Sequence, residues 1–259
     1  MNRIDKKFNN LKKENKKAFI TFLTAGYPTI EKFEKLIEYK IKNGVDIIEI
    51  GIPFSDPLAD GPTIQDASTR VLKNGIKLKD IFKSVKKIRK KSNIPLVFMT
   101  YYNIIFNYGI NKFIKKSKEI GIDGFIIPDL PFEEEGEISK YLDDSIHLIP
   151  LLSPTSKNRN KRILEDKKGF VYYISSTGTT GKRNSSYKKI KKEVNTLKEI
   201  TDLPVAVGFG LKTKDDLKKV YEFADGSIIG SKFIDTIKKD NYKLKNVKKE
   251  IKKLTANFK

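Results

Sequence analysis

The chain has no cysteine, no tryptophan and a single histidine among 259 residues. Without thiols it forms neither disulfides nor thiolate metal sites, and one imidazole does not make a zinc centre, so no metal is expected. That histidine, His147, lies in the apolar run IHLIPLL, where a structural or incidental role is expected. Acidic residues are scarce beside basic ones, 32 against 53, which leaves a formal charge of +21. Clustered lysine favours nucleic acid by releasing counterions from phosphates. Here the lysines run along nearly every polar helical stretch, with runs at 11–17, 86–91 and 243–253, and no aromatic or glycine motif interleaves them. A solvated lysine-rich surface is the expectation, and a nucleic-acid partner is not. No stretch approaches the roughly 20 apolar residues of a membrane span. The first 20 residues lack the apolar region of a signal peptide, so a cytoplasmic protein without membrane association is expected.

What the chain does contain is a series of eight short apolar runs: ITFLTAG, VDIIEIG, IPLVFMT, DGFIIPD, IHLIPLL, FVYYISS, LPVAVGF and GSIIGS. Amphipathic stretches lie between them. Phe33, Leu36, Ile37 and Ile41 fall at helical spacing, as do Ile81, Val85 and Ile88. Near-continuous apolar strands alternating with helices mark a parallel sheet covered on both faces, and eight βα units in this length match a closed (β/α)8 TIM barrel. An open doubly wound sheet is disfavoured because no GxGxxG turn follows the first strand. No Pro/Gly/Ser-rich linker divides the chain, so residues 1–259 are read as one barrel domain, with an extra N-terminal helix around residues 2–15 that caps the floor.

Residues 46–68, DIIEIGIPFSDPLADGPTIQDAS, carry the most chemistry. Glu49 sits inside an apolar strand, on the face shared with Val45 and Ile47, where loss of hydration raises a carboxyl toward the range useful for proton transfer. Asp60 lies in the loop that follows. In a TIM barrel the C-terminal ends of the strands form the active face, which makes this pair the candidate catalytic residues. The competing readings are an ion pair of Glu49 with a lysine from a neighbouring strand, and helix capping by Asp60 ahead of Thr63. Three glycine turns close later strands: STGTTG at 176–181, GFG at 208–210 and IIGS at 228–231. Backbone N–H groups at Gly181, Gly210, Gly230 and Ser231 can converge on a phosphate, helped by a helix beginning near Ser231. Phe22, Tyr101, Tyr172 and Phe209, near the ends of other strands, can wall a flat apolar pocket. Together these features suit a ligand aromatic at one end and phosphorylated at the other.

FITFLTAGYP (19–28), EIGIPFSDPLADGP (49–62), MTYYN (99–103), IPDLP (127–131), STGTTG, GFG and IIGS resemble the α subunit of tryptophan synthase from about residue 16 to residue 235. The resemblance implies a lyase of amino-acid biosynthesis, performing retro-aldol cleavage of indole-3-glycerol phosphate to indole and glyceraldehyde 3-phosphate. By the same resemblance Glu49 and Asp60 are the catalytic pair. Phe22, Tyr101, Tyr172, Thr180, Gly181, Phe209, Gly210, Gly230 and Ser231 line the indole and phosphate pockets, and STGTTG opens a mobile loop. It further implies a β-subunit partner in an αββα assembly, with pyridoxal phosphate in the partner and no cofactor in this chain. Pro53 to Leu58 and the helix region after Tyr102 are the expected contact surfaces. Ile104, where many relatives have proline, Thr179, where valine is common, and the strong basicity depart from the family pattern. The alternatives are a stand-alone lyase with the same site and no partner, a glycosidase, disfavoured for want of tryptophan to stack on sugar, and a basic nucleic-acid-binding or scaffold protein.

Overall fold

The computed structural model describes residues 1–174, 183–208 and 210–256. Nine parallel strands form one sheet: β1 Ala18–Thr24, β2 Ile47–Gly51, β3 Leu96–Met99, β4 Gly124–Ile126, β5 His147–Leu148, β6 Leu151–Leu152, β7 Val171–Ile174, β8 Val205–Gly208 and β9 Gly226–Ile229. They are ordered β5-β4-β3-β2-β1-β9-β8-β7-β6. The expected fifth strand is therefore two short pieces. Pro150 lies between β5 and β6, and a residue with no N–H cannot continue a ladder. Hydrogen bonding nonetheless runs on across the break: the Ile149 N–H donates to the Phe125 carbonyl at 2.9 Å, and the Tyr172 N–H donates to the Pro150 carbonyl at 2.9 Å. Segment 147–152 thus joins both ends of the sheet, and the fold is the expected TIM barrel with one interrupted stave.

Strand register separates inside from outside. Ala18, Ile20, Ile47, Val97, Ile126, Ile149, Phe170, Ala206 and Ile228 fill the barrel interior. Phe19, Leu23, Ile48, Ile50, Phe98 and Phe125 face the helical layer. Ile47 shares the inward face with Glu49, two residues on, whereas Val45 precedes the strand and packs in the outer layer. Helix Ile30–Lys42 is capped by the Thr29 side chain, and helix Lys214–Tyr221 by Thr213, whose hydroxyl accepts from the Asp216 N–H at 3.1 Å. Each is amphipathic and lays its apolar stripe on the wall.

The extra N-terminal helix spans Arg3–Lys13 and closes the floor, burying Ile4, Phe8 and Leu11 beneath the interior residues. Asp123, just before β4, holds it there. Its carboxylate accepts from Arg3 Nη1 at 2.7 Å, from Arg89 Nη2 at 2.8 Å and from the Leu96 N–H at 2.8 Å, while Asn2 Nδ2 donates to its carbonyl at 2.9 Å. His147 bridges from the opposite side, with Nε2 at 2.9 Å from Asp5 Oδ2, which gives it the expected structural role. Asp123→Ala leaves the largely buried Arg89 guanidinium without its counter-charge, so a loss of about 3 kcal/mol is expected. The denaturant midpoint should drop accordingly, with no change in turnover at permissive temperature.

Candidate functional site

The C-terminal rim of the barrel is open because small residues stand where neighbouring rings must lie. Phe22, on β1, leans over Gly51 at the end of β2, and its Cβ would lie 3.0 Å from a Cβ built on Gly230, at the end of β9. Tyr172, on β7, lies against Gly208 at the end of β8, where an added Cβ would come within 2.6 Å of the phenol ring. Any larger residue at Gly51 or Gly208 would push these rings into the mouth. Gly51 was not singled out in sequence and Gly208 entered only as the first residue of the GFG turn, although both end a strand in phase with the inward-facing residues, which is a readable signal.

Glu49 lies in register opposite Phe22 on one side and Val97 on the other. It has 0 % exposure, and neither carboxylate oxygen has a hydrogen-bond partner among the described residues. Desolvation pushes its carboxyl up to about 8, opposed by the charge of Lys40. No cationic nitrogen of the described residues comes within the 4.0 Å of an ion pair, so the pairing considered from sequence is not formed. Lys40 itself comes from helix Ile30–Lys42, not from a strand.

Asp60 enters from the loop between β2 and helix Pro62–Lys73. Tyr101, just beyond β3, stacks on Phe54 with centroids 5.1 Å apart and accepts the Ala59 N–H through its hydroxyl at 3.1 Å, which fixes the loop at both ends. Burial raises the Asp60 carboxyl to about 6, and the hydrogen bond from Tyr101 holds it back. Gly61, not Asp60, is the N-cap of the following helix, with Pro62 in its first turn. The capping reading of Asp60 therefore does not hold. Tyr172 feels both carboxylates: desolvation comes first in raising its phenol well above the ordinary value, and the charges of Glu49 and Asp60 follow.

On the adjoining arc, Gly210 follows β8 in a left-handed conformation with φ of +54°, and Gly230 stands as N-cap of helix Ser231–Lys239. Phe22, Glu49, Asp60, Tyr101, Tyr172, Gly210, Gly230 and Ser231 thus share one end of the barrel. Thr180, Gly181 and Phe209, together with Thr179, lie outside the described residues. Ile104 continues helix Tyr102–Tyr108 without a break, its N–H donating to the Tyr101 carbonyl at 3.1 Å. No group of three or more His, Cys, Asp or Glu side chains that could hold a metal occurs among the described residues. The rim thus carries two carboxyls, Glu49 and Asp60, both pushed upward by burial, at the same end of the barrel as Phe22, Tyr101 and Tyr172.

The model of the family described as "Tryptophan synthase alpha chain" matches residues 8–259. The tryptophan synthase alpha chain of Thermoanaerobacter sp. (strain X514) is 51% identical over 260 residues, covering 100% of this chain and 99% of that one. That of Clostridium kluyveri is 47% identical over 262 residues, with 100% and 97% covered. Among solved structures, tryptophan synthase subunit alpha from Legionella pneumophila superposes with a TM-score of 0.90 at 34% identity, covering 99% of this chain and 98% of that one. A carboxylate pair inside a parallel barrel, a family model spanning almost the whole chain and near-complete alignment with relatives at this identity converge: the chain belongs to the tryptophan synthase alpha chain family.

Proposed function

We propose that Glu49 and Asp60 divide the acid–base work of indole-3-glycerol phosphate cleavage between them. The family is a lyase that makes indole and glyceraldehyde 3-phosphate in tryptophan biosynthesis. Pyridoxal phosphate belongs to its β subunit, and the alpha chain needs no cofactor. Two carboxyls in one site take different roles when their surroundings separate their titrations. With Glu49 near 8 and Asp60 near 6, the first is largely protonated at neutral pH and the second largely ionised.

Indole leaves only after its C3 carbon is protonated. The protonated Glu49 delivers that proton, and the positive charge appears on the ring N–H, where the Asp60 carboxylate stabilises it. The bond between C3 and the glycerol chain then breaks. Its electrons return to the ring, and the adjacent hydroxyl becomes the aldehyde as the Glu49 carboxylate takes the hydroxyl proton. Glu49 ends as it began, so no external acid or base is consumed. Phe22, Tyr101, Tyr172 and Phe209 would sandwich the indole. Thr180, Gly181, Gly210, Gly230 and Ser231 would grip the phosphate, helped by the positive end of helix Ser231–Lys239. The single observation that carries this reading is the full burial of Glu49 with no partner for either oxygen among the described residues.

The family implies a β-subunit partner. For the contact face we propose the loop Pro53 to Leu58 and helix Tyr102–Tyr108, in an αββα assembly through which indole passes unreleased. In support, Leu58 is 94% exposed and Phe106 61%, bare apolar side chains beside the mouth that a partner would cover.

Indole release measured against pH should give a bell, falling below about 6 as Asp60 protonates and above about 8 as Glu49 ionises. Glu49→Gln keeps the volume but not the proton; turnover should fall by roughly 10²-fold or more with affinity largely retained. Equal turnover would remove Glu49 from the mechanism. Gly230→Asp brings a negative side chain against Phe22 in the phosphate grip, so KM should rise sharply with little change in the fold. Leu58→Asp should weaken activation by the β subunit while basal indole release by the chain alone is unchanged; a titration with β subunit that overlays the native curve would move the interface elsewhere.

A further inference from the structure

Helix Ile30–Lys42 turns Phe33, Leu36 and Ile37 toward the barrel wall, and the next residue on that stripe is Lys40, with 0 % exposure. Its Nζ donates to the Phe22 carbonyl at 3.3 Å and stands 4.7 Å from the centre of the Phe233 ring. No carboxylate oxygen of the described residues lies within 4.0 Å of it. A buried amine with one carbonyl acceptor is costly, and leucine or methionine would fill the space without that cost. Packing alone does not account for a lysine here.

The position of the amine does. Phe22, whose carbonyl it holds, is the residue directly paired with Glu49 across β1 and β2. Glu49 approaches that stretch of wall from the interior, Lys40 from the helical layer. The two groups therefore stand on opposite faces of the sheet at the same pair of strands, with one layer of backbone between them. We propose that Lys40 is a positioning residue for the lyase reaction: anchored on the Phe22 carbonyl, its ammonium acts on the Glu49 carboxyl through the sheet and stabilises the carboxylate left after proton delivery. The inference rests on the proposed role of Glu49 and adds a residue outside the barrel to it. Burial pushes the Lys40 amine down and the Glu49 charge opposes that push, as Lys40 opposes the upward push on Glu49.

Other charged groups on the packed elements are engaged elsewhere. Glu34 and Glu38 on the same helix reach Lys87 and Lys91, at 3.2 and 2.6 Å. Lys232 pairs with Glu250 at 3.4 Å, Asp235 accepts from Thr63 at 2.9 Å, and Lys248 lies over the Tyr39 ring. From inside, Tyr172 is the titrating side chain whose phenol senses Glu49, with Asp60 beyond it.

The test is Lys40→Met, with Lys40→Leu as a second variant of similar volume. The Glu49 carboxyl is followed by 13C NMR in glutamate-labelled protein, its signal assigned by loss in Glu49→Gln, alongside the pH profile of kcat. Removing the ammonium should move the Glu49 titration and the alkaline limb of kcat upward together, by on the order of one pH unit, with KM unchanged. Thermal stability should hold or rise, because the costly buried amine is gone. Lys40→Arg, if it folds, should keep the native limb. A Glu49 titration unmoved in both apolar variants overturns the proposal. A carboxyl titration that moves while the kcat limb stays in place upholds the coupling and removes Glu49 from the rate-determining proton transfer, so the two ideas fail separately.

Discussion

Glu49 is fully buried without a hydrogen-bond donor among the described residues, and much of the rim is arranged around that one desolvated carboxyl. A buried acid costs free energy in its ionised form, and here that cost pushes the Glu49 carboxyl upward. The rings of Phe22 and Tyr172 keep the surroundings apolar, and the glycines at the strand ends give those rings room. Asp60 differs because its loop is fastened by the Tyr101 hydroxyl, which offers it the hydrogen bond that Glu49 lacks. The two carboxyls at the rim thus sit in different surroundings.

The floor of the barrel uses polar groups in the opposite way. Asp123 is as buried as Glu49, yet two guanidinium groups and a backbone N–H satisfy it. Its role is to clamp the N-terminal helix beneath the interior layers, and it takes no part in the rim. The separation follows from the architecture: strand starts carry stability, strand ends carry chemistry, and the apolar layers between them insulate one from the other.

Much of this was legible in the chain itself. Glu49 stood out because a charged residue in a strand-length apolar run has few bland explanations, and the motif around Asp60 named the family outright. The N-terminal helix and the strand-and-helix alternation were equally readable from periodicity. The split of the fifth stave at Pro150 was missed because a run of apolar residues hides a missing N–H unless each donor is counted. Lys40 was missed for a related reason: its spacing from Phe33 and Ile37 puts it on the buried stripe, but the residue type argued for the surface, and Ile41 was chosen in its place. Val45 was set on the inward face only by extending the strand alternation two residues too far toward the N-terminus.

The buried carboxyl and amine on either side of the β1–β2 wall also shape how firmly the chain is folded across the pH scale. Glu49 titrates near 4.5 when unfolded and near 8 when folded, so its contribution to stability declines as pH rises between those values. Lys40 shifts in the other sense, from 10.5 down to about 7, so its contribution recovers as pH climbs from 7 toward 10.5. The loss from Glu49 comes at lower pH than the recovery from Lys40, so the pair favours the fold least near neutrality. The molecule concedes firmness by keeping two titrating groups buried, the reverse of a design tuned for endurance alone.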